Sequence, residues 1–363
     1  MEILLIVAVA LLSFANGSND NFKGVATLWG AGRTTYKRAL AWATVFTFLG
    51  SLLAAGLASG LAAKFNGSTL VAKEIYMQVP FLAAVALGAA GAVLLASCLG
   101  LPISTTHALT GALAGAGTLA AGFFSVKFAA LGSGVVLPLL FSPLASLALT
   151  LGLYPLVVQV VEVSGKRDCV CVDDAAVMAV PAGASAAAAV ATPPAVRWTR
   201  AANCETGTEV ARLHPGDAVH WLSGAAISFA RGLNDTPKIA ALLLLTGAGA
   251  MQANYVLVAL AMAVGGALGA ARVAQTLSRK ITPMATREAV TANLVAAALV
   301  TLASSYALPV STTHVTSGSI FGIGMLRRQE ADWRRVRDIL LSWVATLPLG
   351  AALAALSYWL MMR

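Results

Sequence analysis

Long runs of uncharged, mostly apolar residues recur along almost the whole chain, at about 3–28, 38–63, 79–99, 104–122, 128–160, 217–247, 252–271, 287–307, 312–326 and 336–361. A hydrocarbon core about 30 Å thick needs roughly 20 helical residues per crossing, whereas a barrel strand needs only about ten. Run length therefore predicts spanning helices, whose backbone polar groups are all satisfied internally. The first run begins with Glu2 rather than Lys or Arg and meets no small-residue cleavage site before its polar segment, so it reads as a span and not a cleavable leader. One long stretch, about 162–216 with "AVPAGASAAAAVATPP" inside it, has no helical amphipathicity and reads as a mobile linker. The pattern predicts an all-α integral membrane protein of about 10–12 transmembrane helices. It divides into a first repeat (1–161), an Ala/Pro-rich linker (162–216) and a second repeat (217–363).

The repeats are read from polar letters inside the apolar runs. "SFANGSND" with "NFKG" and "SFARGLNDTPK" share seven letters at a fixed offset of 215, from Ser13/Ser228 to Lys23/Lys238. "LPISTTH" at 101–107 recurs as "LPVSTTH" at 308–314, an offset of 207 that Gly111/Gly318 and Gly115/Gly322 keep. The second half is thus shorter between its motifs, most simply at the loop around 64–78. Five spans per half is an odd number, so the second half enters the membrane from the opposite side. Inverted repeats with interrupted helices are the signature of secondary transporters whose site lies at the repeat interface.

Composition sharpens this picture. Of 363 residues, 58% are hydrophobic and 11% charged, with mean hydropathy +0.81, whereas soluble domains are about a quarter charged. The formal charge of +9 raises nucleic acid as a partner, but its distribution argues for a membrane instead. Lys and Arg gather in alternate loops: Arg33, Lys37 and Arg38; Lys166 to Arg212; Arg272 to Arg287; Arg327 to Arg337. The opposite side holds only Lys64, Lys73, Lys127 and Arg363. The positive-inside rule then puts both termini outside and the central loop in the cytoplasm. The four cysteines make no disulfide framework: Cys98 lies in a span, and Cys169, Cys171 and Cys204 fall in the loop assigned to the reducing side. Cys-x-Cys with His214 nearby could bind metal, but its irregular spacing argues against it.

Asp20 and Asp235 are the carboxylates well inside predicted spans, and a charge there faces a partner, an ion or water. One reading is a structural pair such as Asp20 with Lys23. The other starts from Asn19-Asp20 and Asn234-Asp235 beside Gly17 and Gly232, a composition that unwinds a helix and frees carbonyls for a hard cation or a proton. Arg231, four residues before Asp235, could pair with that carboxylate and leave Asp20 the more cation-responsive. Pro-x-Ser-Thr-Thr-His puts hydroxyls at predicted helix starts, where free N–H groups and the helix dipole bind anions. Ser104, Thr105 and Thr106 from one copy and Ser311, Thr312 and Thr313 from the other would cradle one tetrahedral oxyanion. Ordinary capping is the alternative for either copy alone. His107 and His314 donate to the anion, cap the helix or carry a proton, the structural role being favoured. Two rival classes remain: a membrane hydrolase using Ser104 or Thr105 with His107, for which no orienting acid is in view, and a passive anion channel, which buried aspartates would oppose.

"NGSND", "RGLNDTPK" and the two Pro-x-Ser-Thr-Thr-His motifs resemble the inorganic phosphate transporter (PiT) family, secondary permeases that move phosphate with sodium or protons. The resemblance covers both halves and leaves out only the linker. It implies cation coupling at Asn19, Asp20, Asn234 and Asp235 and phosphate binding by the Ser-Thr-Thr segments in re-entrant hairpins; Lys23, Lys238, His107, His314, Arg231 and Asn293 are the candidate accessory residues beside them. It implies no enzyme activity and no cofactor, only a coupling ion, Na+ or H+, and a plasma-membrane location. Sodium-coupled members carry an acidic residue about sixteen positions before the second Pro-x-Ser-Thr-Thr, where this chain has Asn293. The coupling ion is therefore open, and sulfate, also tetrahedral, is the alternative substrate. A homodimer is expected by analogy with how such transporters assemble.

Overall fold

The computed structural model describes residues 2–164, 169–173, 196–199, 207–211, 215–246, 251–281, 285–326 and 332–363. Ten helices dominate: α1 (Glu2–Asp20), α2 (Tyr36–Leu57), α3 (Val79–Leu99), α4 (Thr105–Ala121), α5 (Leu137–Ser164), α6 (Pro215–Ala240), α7 (Met251–Gly269), α8 (Thr286–Ser305), α9 (Thr312–Leu326) and α10 (Trp333–Met361). They fall one by one on the ten predicted runs. Seven helical segments among the described residues are long and apolar enough to cross a membrane. At about 1.5 Å per residue, α4 and α9 reach only about 25 and 22 Å, short of a hydrocarbon core. Local chemistry sets the ends: Gly100 stops α3 in a left-handed conformation at φ 71°, and Ser104 opens α4 by accepting from the His107 N–H.

Helix packing repeats when the halves are exchanged. α1 lies on α3 and α7, and α6 correspondingly on α8 and α2. α4 packs on α10, and α9 on α5; α3 also packs on α10, and α8 on α5. Each half therefore lends α2 and α5, or α7 and α10, to the other, and the two sequence halves do not pack as separate bodies. Small residues make the crossings close, the packing mode left when lipid is as apolar as leucine. A Cβ on Gly17 would stand 2.0 Å from the Met262 carbonyl oxygen, and one on Gly232 equally 2.0 Å from that of Thr47.

Two sequence expectations change here. Gly17 and Gly232 do not unwind their helices: α6 runs unbroken through Asn234 and Asp235 to Ala240, with Pro237 inside it. Only the first copy is interrupted, and only after Asp20, where a turn and a short 3-10 segment (Lys23–Val25) precede the helix Ala26–Gly30. The linker also contains more than coil. Cys169–Asp173, Val196–Thr199 and Gly207–Ala211 form an antiparallel sheet with the first of these in the middle. Cys169 and Cys171 thus lie on a strand, while Cys204 and His214 fall outside the described residues. Among those described, no His/Cys/Asp/Glu group is arranged to hold a metal.

Candidate functional site

The hairpins α3–α4 and α8–α9 meet at their tips. The Thr313 hydroxyl donates to the Ile103 carbonyl at 2.6 Å, and the His107 and His314 rings stand edge to face at 4.4 Å between centroids. The N-termini of α4 and α9 therefore face one buried centre. Ser104 and Ser311 accept from the N–H groups of His107 and His314 at 3.1 and 3.2 Å, so their hydroxyls serve as caps. Thr105, Thr106, Thr312 and Thr313 are buried on the same turns.

Two lysines tie the tips together in a crossed pattern. Lys23 donates to the Ile103 carbonyl at 3.1 Å and also to Thr313 of the opposite hairpin. Lys238 donates to the Val310 carbonyl at 2.6 Å and to Thr106 of the opposite hairpin at 3.0 Å. Each ammonium is matched by a carboxylate: Lys23 pairs with Asp20, and Lys238 lies 3.7 Å from Asp235. Arg231 adds a second cation 3.6 Å from Asp235. All five charged groups are at most 3% exposed, an arrangement stable only while each charge keeps its partners.

Asn16 joins the two halves. Its amide nitrogen lies 3.3 Å from an oxygen of Asp20, 3.3 Å from one of Asp235 and 3.0 Å from the Thr105 hydroxyl. Asn19 and Asn234 hold the tips rather than the carboxylates alone. Asn19 donates to Ser97 at 3.0 Å and to the Leu101 carbonyl at 2.9 Å, and accepts from the Ile103 N–H at 3.1 Å. Asn234 donates to Asp235 at 3.0 Å and to the Val310 carbonyl at 3.2 Å, and accepts from Ser304 at 3.0 Å. Each histidine points Nδ1–H at a carbonyl of the other half, His107 at Trp343 and His314 at Leu139. Carbonyl oxygen only accepts, which fixes the Nδ1–H tautomer.

The structure thus gathers the site residues expected from the sequence except Asn293. That side chain sits on α8 apart from the centre, donating to Thr27 at 3.0 Å and Ser223 at 3.2 Å, while His220 Nε2 lies 3.0 Å from the same Thr27 hydroxyl. Sequence reasoning marked Asn16 and Asn21 as places where the two halves differ, without giving either a role, and did not single out Thr47, Ser97, Ser304 or Trp343. Ser97 and Ser304 keep the 207-residue offset, a signal available in the sequence. Trp343 stacks on His314 with centroids 3.9 Å apart, and only the fold brings it there.

Taken together, the fold and site define a multi-pass membrane protein with a duplicated, buried ionic centre between two hairpin tips. The sequence model of the Phosphate transporter family matches residues 4–354, and the chain belongs to that family, whose members are transporters and not enzymes. That sets aside the hydrolase reading. The chain is 26% identical over 372 residues to a Bacillus subtilis (strain 168) protein named "Probable low-affinity inorganic phosphate transporter", covering 99% of this chain and 97% of that one. It is 40% identical over 85 residues, 23% of this chain and 13% of the other, to "Sodium-dependent phosphate transporter 1-B" of Danio rerio. A solved structure titled "The sodium-dependent phosphate transporter" has the same fold, with a TM-score of 0.77 at 19% identity over 99% of this chain and 98% of that one.

Proposed function

We propose that this chain imports inorganic phosphate across the plasma membrane by alternating access, coupled to Na+ or H+. The observation that supports it is the meeting of two helix N-termini at one buried centre, where Thr105, Thr106, Thr312 and Thr313 stand beside the Lys23 and Lys238 ammoniums. Backbone N–H groups at helix starts, hydroxyls and ammoniums are the donors a tetrahedral oxyanion needs. Crossed lysine bonds hold the tips closed until an anion competes for both ammoniums.

Coupling follows from the same pairs. A proton or Na+ on Asp20 or Asp235 weakens that carboxylate's hold on its lysine and frees the ammonium for phosphate. Phosphate in turn offers the lysine another anion and favours the cation on the aspartate, so each ligand strengthens the other by the same free energy. Asn19 and Asn234 serve this cycle by fixing the tips, and the histidines by clasping α4 to α10 and α9 to α5. Repeats at 1–161 and 217–363 in opposite orientation, both termini outside and the linker cytoplasmic remain the proposed topology, supported by the exchange symmetry of the packing and the Lys/Arg distribution.

The test is uptake of labelled phosphate by purified protein in proteoliposomes under separate Na+ and proton gradients, with sulfate and arsenate as competitors. Concentrative phosphate uptake that arsenate inhibits and sulfate does not is expected. Flux that never exceeds equilibration would leave a passive channel. Orientation is checked with a single cysteine at position 185, which should react only from the cytoplasmic side; labelling in intact cells from outside would reverse it.

A further inference from the structure

Arg231 lies in a buried cage lined mostly by oxygen acceptors. One guanidinium nitrogen donates to the Asn21 side-chain oxygen at 2.9 Å and reaches the Thr47 hydroxyl at 3.4 Å. The other donates to the Asn16 side-chain oxygen and lies 3.7 Å from the Met262 sulfur, and Nε stands 3.6 Å from an Asp235 oxygen. Two amide oxygens, a hydroxyl and a carboxylate, gathered from both halves, are the ligand types that hold alkali and alkaline-earth cations. Arg231 is 1% exposed and is the largest fully buried side chain among the described residues. A guanidinium does not lose its charge and cannot leave.

The repeat makes this informative. The 215-residue offset pairs Arg231 with Asn16, so the other half has no such charge at the matching place. There Thr236, the counterpart of Asn21, bonds Ser51 at 2.7 Å, and Met262 stands as the counterpart of Thr47. Among the described residues Asp20 thus has one cation partner within 4 Å, Lys23, whereas Asp235 has two, Lys238 and Arg231. We infer that Arg231 is a tethered replacement for a soluble coupling cation: the Asp235 half-site carries its positive charge permanently, and only the Asp20 half-site recruits one from solution. The inference rests on the phosphate-transport reading and deepens it, by setting the number of soluble cations bound with each phosphate at one.

The experiment measures binding of labelled phosphate to the purified full chain while Na+ and pH are varied in turn. For the wild type, log affinity against log cation concentration should rise with a slope near one for the coupling ion, about tenfold per tenfold. Arg231→Asn copies the residue at the related position of the other half. It should bind phosphate at least tenfold more weakly when the coupling ion is dilute, recover with a slope near two as that ion rises, and recover also with millimolar guanidinium. A wild-type slope near two, or an Arg231→Asn variant with unchanged affinity and slope, would overturn the proposal. If that variant does not fold, the wild-type slope decides alone. No phosphate binding by the wild type in any buffer would remove the transport reading, and this inference with it, whereas the other failures remove Arg231's role only.

Discussion

The half-sites around Asp20 and Asp235 share their scaffold and differ in their charges. Both use a serine-capped hairpin tip, a lysine crossing to the opposite hairpin, and a glycine whose missing side chain admits a neighbouring carbonyl. The contrast is Arg231 against Asn16, which leaves one carboxylate singly and the other doubly compensated. A second contrast lies further from the centre. His220, Ser223, Thr27 and Asn293 form a buried polar cluster. Their partners by the two offsets are Leu5, Ala8, Leu242 and Ala86, all buried in the largest apolar core cluster. Duplication has preserved the parts that set backbone geometry together with the Asn-Asp and Lys of each motif, and has let the polar groups around them diverge.

The largest expected effects lie in what the halves share. Gly17→Ala or Gly232→Ala would place a methyl group 2.0 Å from a backbone carbonyl oxygen that no rotamer change can move. Both variants should lose folded protein in detergent, seen as aggregation on size exclusion; a well-folded Ala variant at only one position would show that the two crossings are not equivalent.

Next come the carboxylates, where the halves should part. Asp235→Asn strands two buried cations and Asp20→Asn one, and removing one partner of a buried pair costs roughly 3–5 kcal/mol. Asp235→Asn should therefore show the larger fall in melting temperature, and Asp20→Asn the larger change in cation dependence. Equal shifts in both measurements would erase the charge asymmetry. Smaller still are the hydroxyls: Thr105→Val and Thr312→Val keep volume and each remove a donor, for an expected loss of about 1–3 kcal/mol in phosphate binding. An unchanged apparent affinity in both would move the anion away from the tips.

Much of this was legible beforehand for identifiable reasons. Apolar runs mark spans because hydrocarbon imposes length, and all ten long helices lie on them. The motif residues could be found because the chain states them twice. What two copies cannot say is how a residue is used. Gly17 and Gly232 read as helix breakers, yet they serve crossings, because small size permits both uses. The lysines' crossing to the opposite hairpin depends on where the tips meet, which no local pattern encodes. Asn16 could be seen as a place where the repeat fails, opposite Arg231, but its bonds to Asp20, Asp235 and Thr105 come only from the fold. The linker strands were missed, although "CVCVD" places β-branched residues in alternation inside an otherwise Ala/Pro-rich stretch.

The central claim, that one oxyanion is held between two facing hairpin tips, is tested most directly by a structure of the purified protein with phosphate, or with selenate as a heavier tetrahedral probe. The account predicts one tetrahedral density within hydrogen-bond distance of residues on both turns, 105–106 and 312–313, with Lys23 or Lys238 drawn from its carboxylate toward it. Density bound by one turn alone, or lying away from both, would contradict it.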